Sequence, residues 1–123
     1  MSASPPPADA RPRRGQALSR LDALAAAGGA QVLDFADGEA RFSLLLVIHQ
    51  GEVRAYENLC PHARWPLETF DGRLLRTPEG ALLCAAHGAV FDAANGRCLA
   101  GPASGRALAA FAVEVRDGAV FVA

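Results

Sequence analysis

Two short stretches of this chain each pair a thiol with an imidazole: Cys60-Pro61-His62 and Cys84-Ala85-Ala86-His87. The first pair is spaced i, i+2 and the second i, i+3, with 21 residues between His62 and Cys84. Two sulfurs and two nitrogens gathered by a fold make a four-donor metal site. Soft thiolates suit zinc and iron–sulfur clusters, and imidazole suits zinc and iron. Neither spacing needs a helix, so two loops can present the donors. The competing reading takes the cysteines as small buried apolar residues and the histidines as incidental. It fits poorly: the chain has three Cys and three His, and two of each fall in these tight pairs.

Zinc fingers and ribbons usually pair Cys with Cys and His with His, whereas each pair here is mixed. The pattern C-x-H…C-x-x-H resembles the Rieske [2Fe-2S] motif, in which two Cys and two His divide between the two irons. The flanks resemble it as well. Asn58-Leu59 leads into the first loop, Pro61 follows its Cys, and Pro66-Leu67 follows the loop. Gly88 follows the second His, and Gly101-Pro102 stands where the family has a Gly-Pro segment covering the cluster. The similarity runs from about Leu18 to the C-terminus. It implies one [2Fe-2S] cluster per chain, with Cys60, His62, Cys84 and His87 as its ligands. Each imidazole would bind iron through one ring nitrogen and offer the other to solvent or a partner.

The same resemblance gives the departures meaning. High-potential Rieske proteins link the two cluster loops by a disulfide, and Trp65 and Ala86 occupy those positions here. They also aim a Ser and a Tyr hydroxyl at the cluster sulfurs, and here Ala89 and Phe91 stand instead. Hydrogen bonds to the sulfurs, net charge and exposure set the potential. Without those two donors it is expected toward the low end of the Rieske range, roughly −150 mV. Relatives usually carry Gly where this chain has Arg64; Gly there tolerates positive φ, and the Arg cation acts to raise the potential. Trp65 either shields the cluster or packs its loop. Cys98 lacks a partner and reads as a packing residue; His49 reads as an exposed turn residue.

The elements that must position these loops are strands. Gln31–Phe35 closes at the hairpin signal Asp37-Gly38. Phe42–Ile48 is nearly all apolar and reads as a central strand, and Val53–Tyr56 pairs back. Arg73–Arg76, Ala81–Leu83, Val90–Phe91 and Arg97–Leu99 are short and separated by Gly-containing turns. Phe111, Val113 and Val115 alternate with other residues, and Val120–Val122 closes the chain. Gln16–Arg20 reads as strand, and Asp22–Ala27 as a turn or one helical turn. Short strands spaced roughly 8–12 residues apart indicate an all-β sandwich or barrel. The expected architecture is a Rieske-like antiparallel β base (residues 17–123) carrying a small cluster-binding insert over about 58–92. Residues 1–16, rich in Pro, Ala and Arg, read as a disordered tail.

The composition excludes several classes. With 123 residues the chain makes one domain with a modest core. The net charge is −1, with no Lys and 12 Arg, so there is no field for nucleic acid. No apolar run reaches the roughly 18 residues of a membrane span, and residues 1–16 lack a signal-peptide h-region. The expected setting is the cytoplasm.

The expected function is one-electron transfer between a reductase and an oxygenase or reductase acceptor, with the protein positioning and tuning the cluster. An oxygenase would need a second site of two His and a carboxylate, and only His49 remains, so no enzyme activity is expected. The alternatives are a small Rieske subunit of a larger oxidoreductase, such as a nitrite reductase, or a non-redox zinc module.

Overall fold

The structure, a computed structural model, describes residues 10–61, 65–69 and 71–123. In chain order the elements are β1 (Ala17–Arg20), α1 (Leu21–Ala26), β2 (Ala30–Asp37), β3 (Ala40–His49), β4 (Glu52–Glu57), β5 (Leu75–Arg76), β6 (Leu82–Leu83), β7 (Val90–Phe91), β8 (Cys98–Ala100), β9 (Val113–Arg116) and β10 (Ala119–Val122). They form three antiparallel sheets, ordered β1-β10-β9, β2-β3-β4 and β5-β6-β7-β8. The all-β architecture expected from the sequence is the one observed.

β3 is the inner strand of its sheet, paired in register with β2 from Ala30↔Val47 to Asp37↔Ala40 and with β4 from Leu44↔Glu57 to His49↔Glu52. Its run Leu44-Leu45-Leu46-Val47 is fully buried. Successive side chains on a strand point to opposite faces, and here each face has its own core. Leu45 and Val47 join Tyr56, Leu67, Leu82 and Phe91 in one cluster that also contains Cys60 and Cys84. Leu44 and Leu46 join Phe42, Ala55, Leu24 and Val120 in the other, between this sheet and the terminal strands. A strand covered on both faces reads as a continuous apolar run rather than an alternating one, which is why the 42–48 segment stood out.

The short strands β5 to β8 form the insert. Arg76 fastens its first turn to the base: Nε and Nη2 donate to Gly80 O (3.2 and 2.8 Å) and Nη1 to Ile48 O (3.4 Å). On the other flank Tyr56 Oη donates to Ala93 O (2.8 Å), and burial pushes its phenol pKa up. Gly96 lies against that ring at φ +78°; a Cβ there would sit 2.9 Å from Tyr56 Cε1 and 3.1 Å from Leu108 O. The sheet of the insert ends at Ala100, past the expected limit at 92, because β8 closes on β7.

The start of the chain differs from the reading of residues 1–16 as a disordered tail. Residues 1–9 lie outside the described residues, but two side chains of 10–16 are buried and the segment's backbone bonds to the last strand. Ala10 is 9% exposed and sits in the second core, and Pro12 is buried. The Arg11 guanidinium lies 4.8 Å from the Phe42 ring centroid and 5.9 Å from that of Phe111. Gly15 N–H donates to Val122 O and Val122 N–H to Gln16 O, both at 2.9 Å. A Pro/Arg-rich composition reads as solvated, yet an Arg stacked on an aromatic pair and an Ala filling a core gap hold the segment down. α1 is the helical turn expected at 22–27, and β2 and β3 each run longer than the apolar residues that marked them.

Truncating the shared wall should loosen the insert as well as the base. Leu45→Ala is expected to lower unfolding free energy by about 2–5 kcal/mol, read as a fall in the denaturant midpoint by circular dichroism.

Candidate metal centre

Loop one leaves β4 through Asn58, which is buried. Asn58 N–H donates to Ser43 O (2.8 Å), and its side-chain Nδ2 donates to Ser43 Oγ (3.0 Å) and to the Glu68 carboxylate. Its Oδ1 accepts from Leu67 N–H (2.9 Å). One neutral side chain thus ties both sides of the loop to β3. Cys60 N–H donates to Trp65 O (2.8 Å), closing the loop at its neck.

Loop two is set by the β6–β7 pairing. Cys84 N–H donates to Ala89 O (2.8 Å), and Gly88 N–H returns to Cys84 O (2.9 Å). Gly88 turns at φ +74°, a conformation Gly adopts without steric cost. The loops touch directly, since Ala85 N–H donates to Leu67 O (3.0 Å). Gly101 packs on this turn at φ +97°, and a Cβ on it would meet Ala89 Cα at 2.9 Å. Only Gly fits there, which gives the expected Gly101-Pro102 cover its physical reason.

The structure brings two of the four expected donors together in the core. Cys60 and Cys84 are both free thiols with 0% exposure. Burial pushes the Cys84 thiol pKa up, backbone N–H groups of Ala86 and His87 pull it down, and the Cys60 thiol beside it pushes it up again. Two buried sulfurs in one core suit a pair of donors on a single metal atom; burial holds the Cys84 thiol above its usual pKa, and the Ala86 and His87 amides offset part of that rise. His87 is exposed on the same loop. His62 and Arg64 lie outside the described residues. Among the described residues no group of three His, Cys, Asp or Glu lies within reach of a single ion. A two-iron cluster does not require one: it takes its sulfur ligands on one iron and its imidazoles on the other. The donor set therefore fits such a cluster.

The residues around the donors follow the expected departures. Ala89 and Phe91 are fully buried and bring no hydroxyl. Trp65 and Ala86 line one open groove with Pro66, Glu68, Thr69, Ala85 and His87, and Trp65 is 54% exposed. Cys98 is half-buried, packs against the Cys60/Cys84 core, and its thiol donates to Ala100 O (3.3 Å). His49 ends β3 half-buried rather than in an exposed turn. Sequence reasoning missed Arg76 and Arg106, whose partners are backbone carbonyls that no motif displays. Asn58 was visible as a flank but not as a latch.

A model of the Rieske [2Fe-2S] domain matches residues 22–115. The chain belongs to the Rieske [2Fe-2S] domain family. Such a domain carries one [2Fe-2S] cluster of Rieske type. Among solved structures, the ferredoxin of carbazole 1,9a-dioxygenase from Nocardioides aromaticivorans IC177 is similar at 26% identity and TM-score 0.70, covering 90% of this chain and 98% of its own. The ferredoxin of Sphingomonas yanoikuyae B1 shares the fold at 24% identity and TM-score 0.64, covering 89% of this chain and 97% of its own. The terminal oxygenase of carbazole 1,9a-dioxygenase from Nocardioides aromaticivorans IC177 shares it over 90% of this chain but 30% of its own, at 24% identity and TM-score 0.63. No curated protein matches the sequence.

Loss of the Asn58 latch should be felt in both stability and cluster retention. Asn58→Ala strands the buried Leu67 N–H and is expected to cost about 1–3 kcal/mol, with faster bleaching of the visible absorbance on standing. Asn58→Asp keeps the acceptor but sets a second carboxylate against Glu68. Its deficit in melting temperature is expected to shrink as the pH falls through the carboxylate range.

Proposed function

We propose that this Rieske chain is a one-electron carrier in which Cys60 and Cys84 hold one iron and His62 and His87 hold the other. The observation that carries this is the adjacency of two fully buried free thiols beneath a tip on which His87 is exposed. When bound, the cluster supplies a one-electron couple. The chain's own residues do the rest. The hydrophobic cluster around Cys60 and Cys84 keeps water from the sulfurs. The amides of Ala86 and His87 favour the charged form of Cys84. The exposed loop offers an imidazole edge to a partner.

The partners proposed are a reductase as donor and an oxygenase or reductase as acceptor. Support comes from the likeness, over nearly the full length of both chains, to a ferredoxin of a dioxygenase. That likeness also supports a carrier without catalysis of its own. A mononuclear iron site of two His and a carboxylate would need a second His besides His49. No helix among the described residues is long and apolar enough to cross a membrane, and the proposed setting is the cytoplasm.

Trp65, Pro66, Ala85 and Ala86 make an apolar lip around His87. Large exposed aromatics at such a lip are the side chains that carry docking energy. Trp65→Ala is expected to weaken binding to the acceptor about tenfold or more in a titration against the purified partner, while the visible spectrum stays unchanged.

Iron and acid-labile sulfide assays on the purified protein test the reading itself. Two irons and two sulfides per chain are expected for one [2Fe-2S] cluster; one zinc with no sulfide would overturn it. With apolar Ala89 and Phe91 facing the core, voltammetry at neutral pH is expected to give a potential of about −150 mV. Phe91→Tyr is expected to move it upward by adding a hydroxyl donor.

A further inference from the structure

We infer that Arg106 is a positioning residue for loop one, fixing the peptide unit between Pro61 and His62 and setting a cation beside the cluster. This rests on the ligand assignment proposed above.

Arg106 Nη1 donates to Pro61 O at 2.8 Å, joining residues 45 positions apart in sequence. Pro61 stands between two proposed ligands. Its ring locks φ, and the peptide unit that leads into His62 is planar. The soft torsion left between them is ψ of Pro61, and ψ is set by where the carbonyl oxygen points. A donor that holds that oxygen therefore sets how the chain enters the second ligand.

The guanidinium can do this only if its own backbone is fixed, and it is fixed on both sides. Arg106 N–H donates to Ala103 O (3.0 Å), and Arg106 O accepts from Cys98 N–H of β8 (3.0 Å). Arg97 and Ala107 form a bridge next to it, and Ala103 is fully buried in the core that holds the two thiols. The residue is thus mounted on the insert behind Gly101, and its side chain reaches across the tip to loop one. No acidic side chain among the described residues pairs with it. Its charge therefore stays available to favour the more negative, reduced form of a nearby redox centre.

The test uses the full chain with its cluster and compares Arg106→Gln, Arg106→Lys and Arg41→Gln. Arg41 lies at the β2–β3 hairpin, where it donates to Gly38 O and Ala40 O, and its substitution removes the same charge without removing a bond to loop one. Arg106→Gln is expected to release iron to a ferrous chelator at least threefold faster, with a broadened electron paramagnetic resonance spectrum of the reduced form. Its potential is expected to move downward. Arg106→Lys should recover the potential more fully than the release rate, because it keeps the charge and loses the planar fork. Should Arg106→Gln fail to load, release and line shape are read from Arg106→Lys, and wild-type values there overturn the positioning role. Loaded Arg106→Gln with wild-type potential, line shape and release rate overturns the inference. An equal downward shift in Arg41→Gln overturns it as well. A wild-type protein with no acid-labile sulfide would instead sink the ligand assignment, so the two failures are told apart.

Discussion

Everything at the tip depends on β3 being buried on both faces. A strand with one wet face can slip by one residue only by inverting its apolar set, and a strand with two dry faces has no polar face to invert onto. Here register is held by size and shape instead: Leu44 and Leu46 fill one core, and Leu45 and Val47 fill the other. The second of those cores contains Cys60 and Cys84. The hydrophobic effect that fixes β3 thus also fixes the distance from the base to the two thiols. Ser43, one step before the run, offers its carbonyl and hydroxyl to Asn58, so the same strand places the first loop.

Two-residue strands cannot hold such loops unaided. β5, β6 and β7 pair with each neighbour at only two positions, far from enough to offset the entropy of ordering the connections between them. The deficit is met by side chains that cap backbone carbonyls and amides: Asn58 on Leu67, Arg76 on Gly80 and Ile48, Tyr56 on Ala93, and Arg106 on Pro61. Each joins the insert to the base or one loop to another segment. Glycines at 96 and 101 let the backbone close on Tyr56 and Ala89, and Gly88 supplies a positive-φ turn. The insert is thus held by polar contacts in addition to the core it shares with the base, while the base is held mainly by packing.

That division explains what was legible in the sequence. Mixed Cys/His pairs have few chemical uses, so Cys60 and Cys84 announced themselves, and the apolar run at 42–48 announced the central strand. Turns written as Asp-Gly, or otherwise containing Gly, marked where strands end. What stayed hidden were bonds from a side chain to a distant carbonyl, because any Arg or Asn can make one and the partner carries no signature. Residues 10–16 misled for a related reason. Composition reports the average solvation of a segment, and a single Ala in a core gap with one Arg over Phe42 and Phe111 outweighs that average. The half-buried state of His49 has the same origin, since the insert leans its Gly80 turn against the end of β3.

The tip also separates two demands that conflict when placed in one environment. Burial opposes charge on the Cys84 thiol, and amide dipoles held against the sulfur offset part of that cost, each strengthened by the low local dielectric. A group that meets a partner must instead stand at the surface. On the proposed ligand assignment, the chain satisfies both by the spacing of one loop. Cys84 points into the core at the end of β6, and three residues later His87 has turned outward past exposed Ala85 and Ala86. Small residues there keep the turn tight, and His87 stands exposed at its end. The amides of Ala86 and His87 meanwhile fold back on the sulfur.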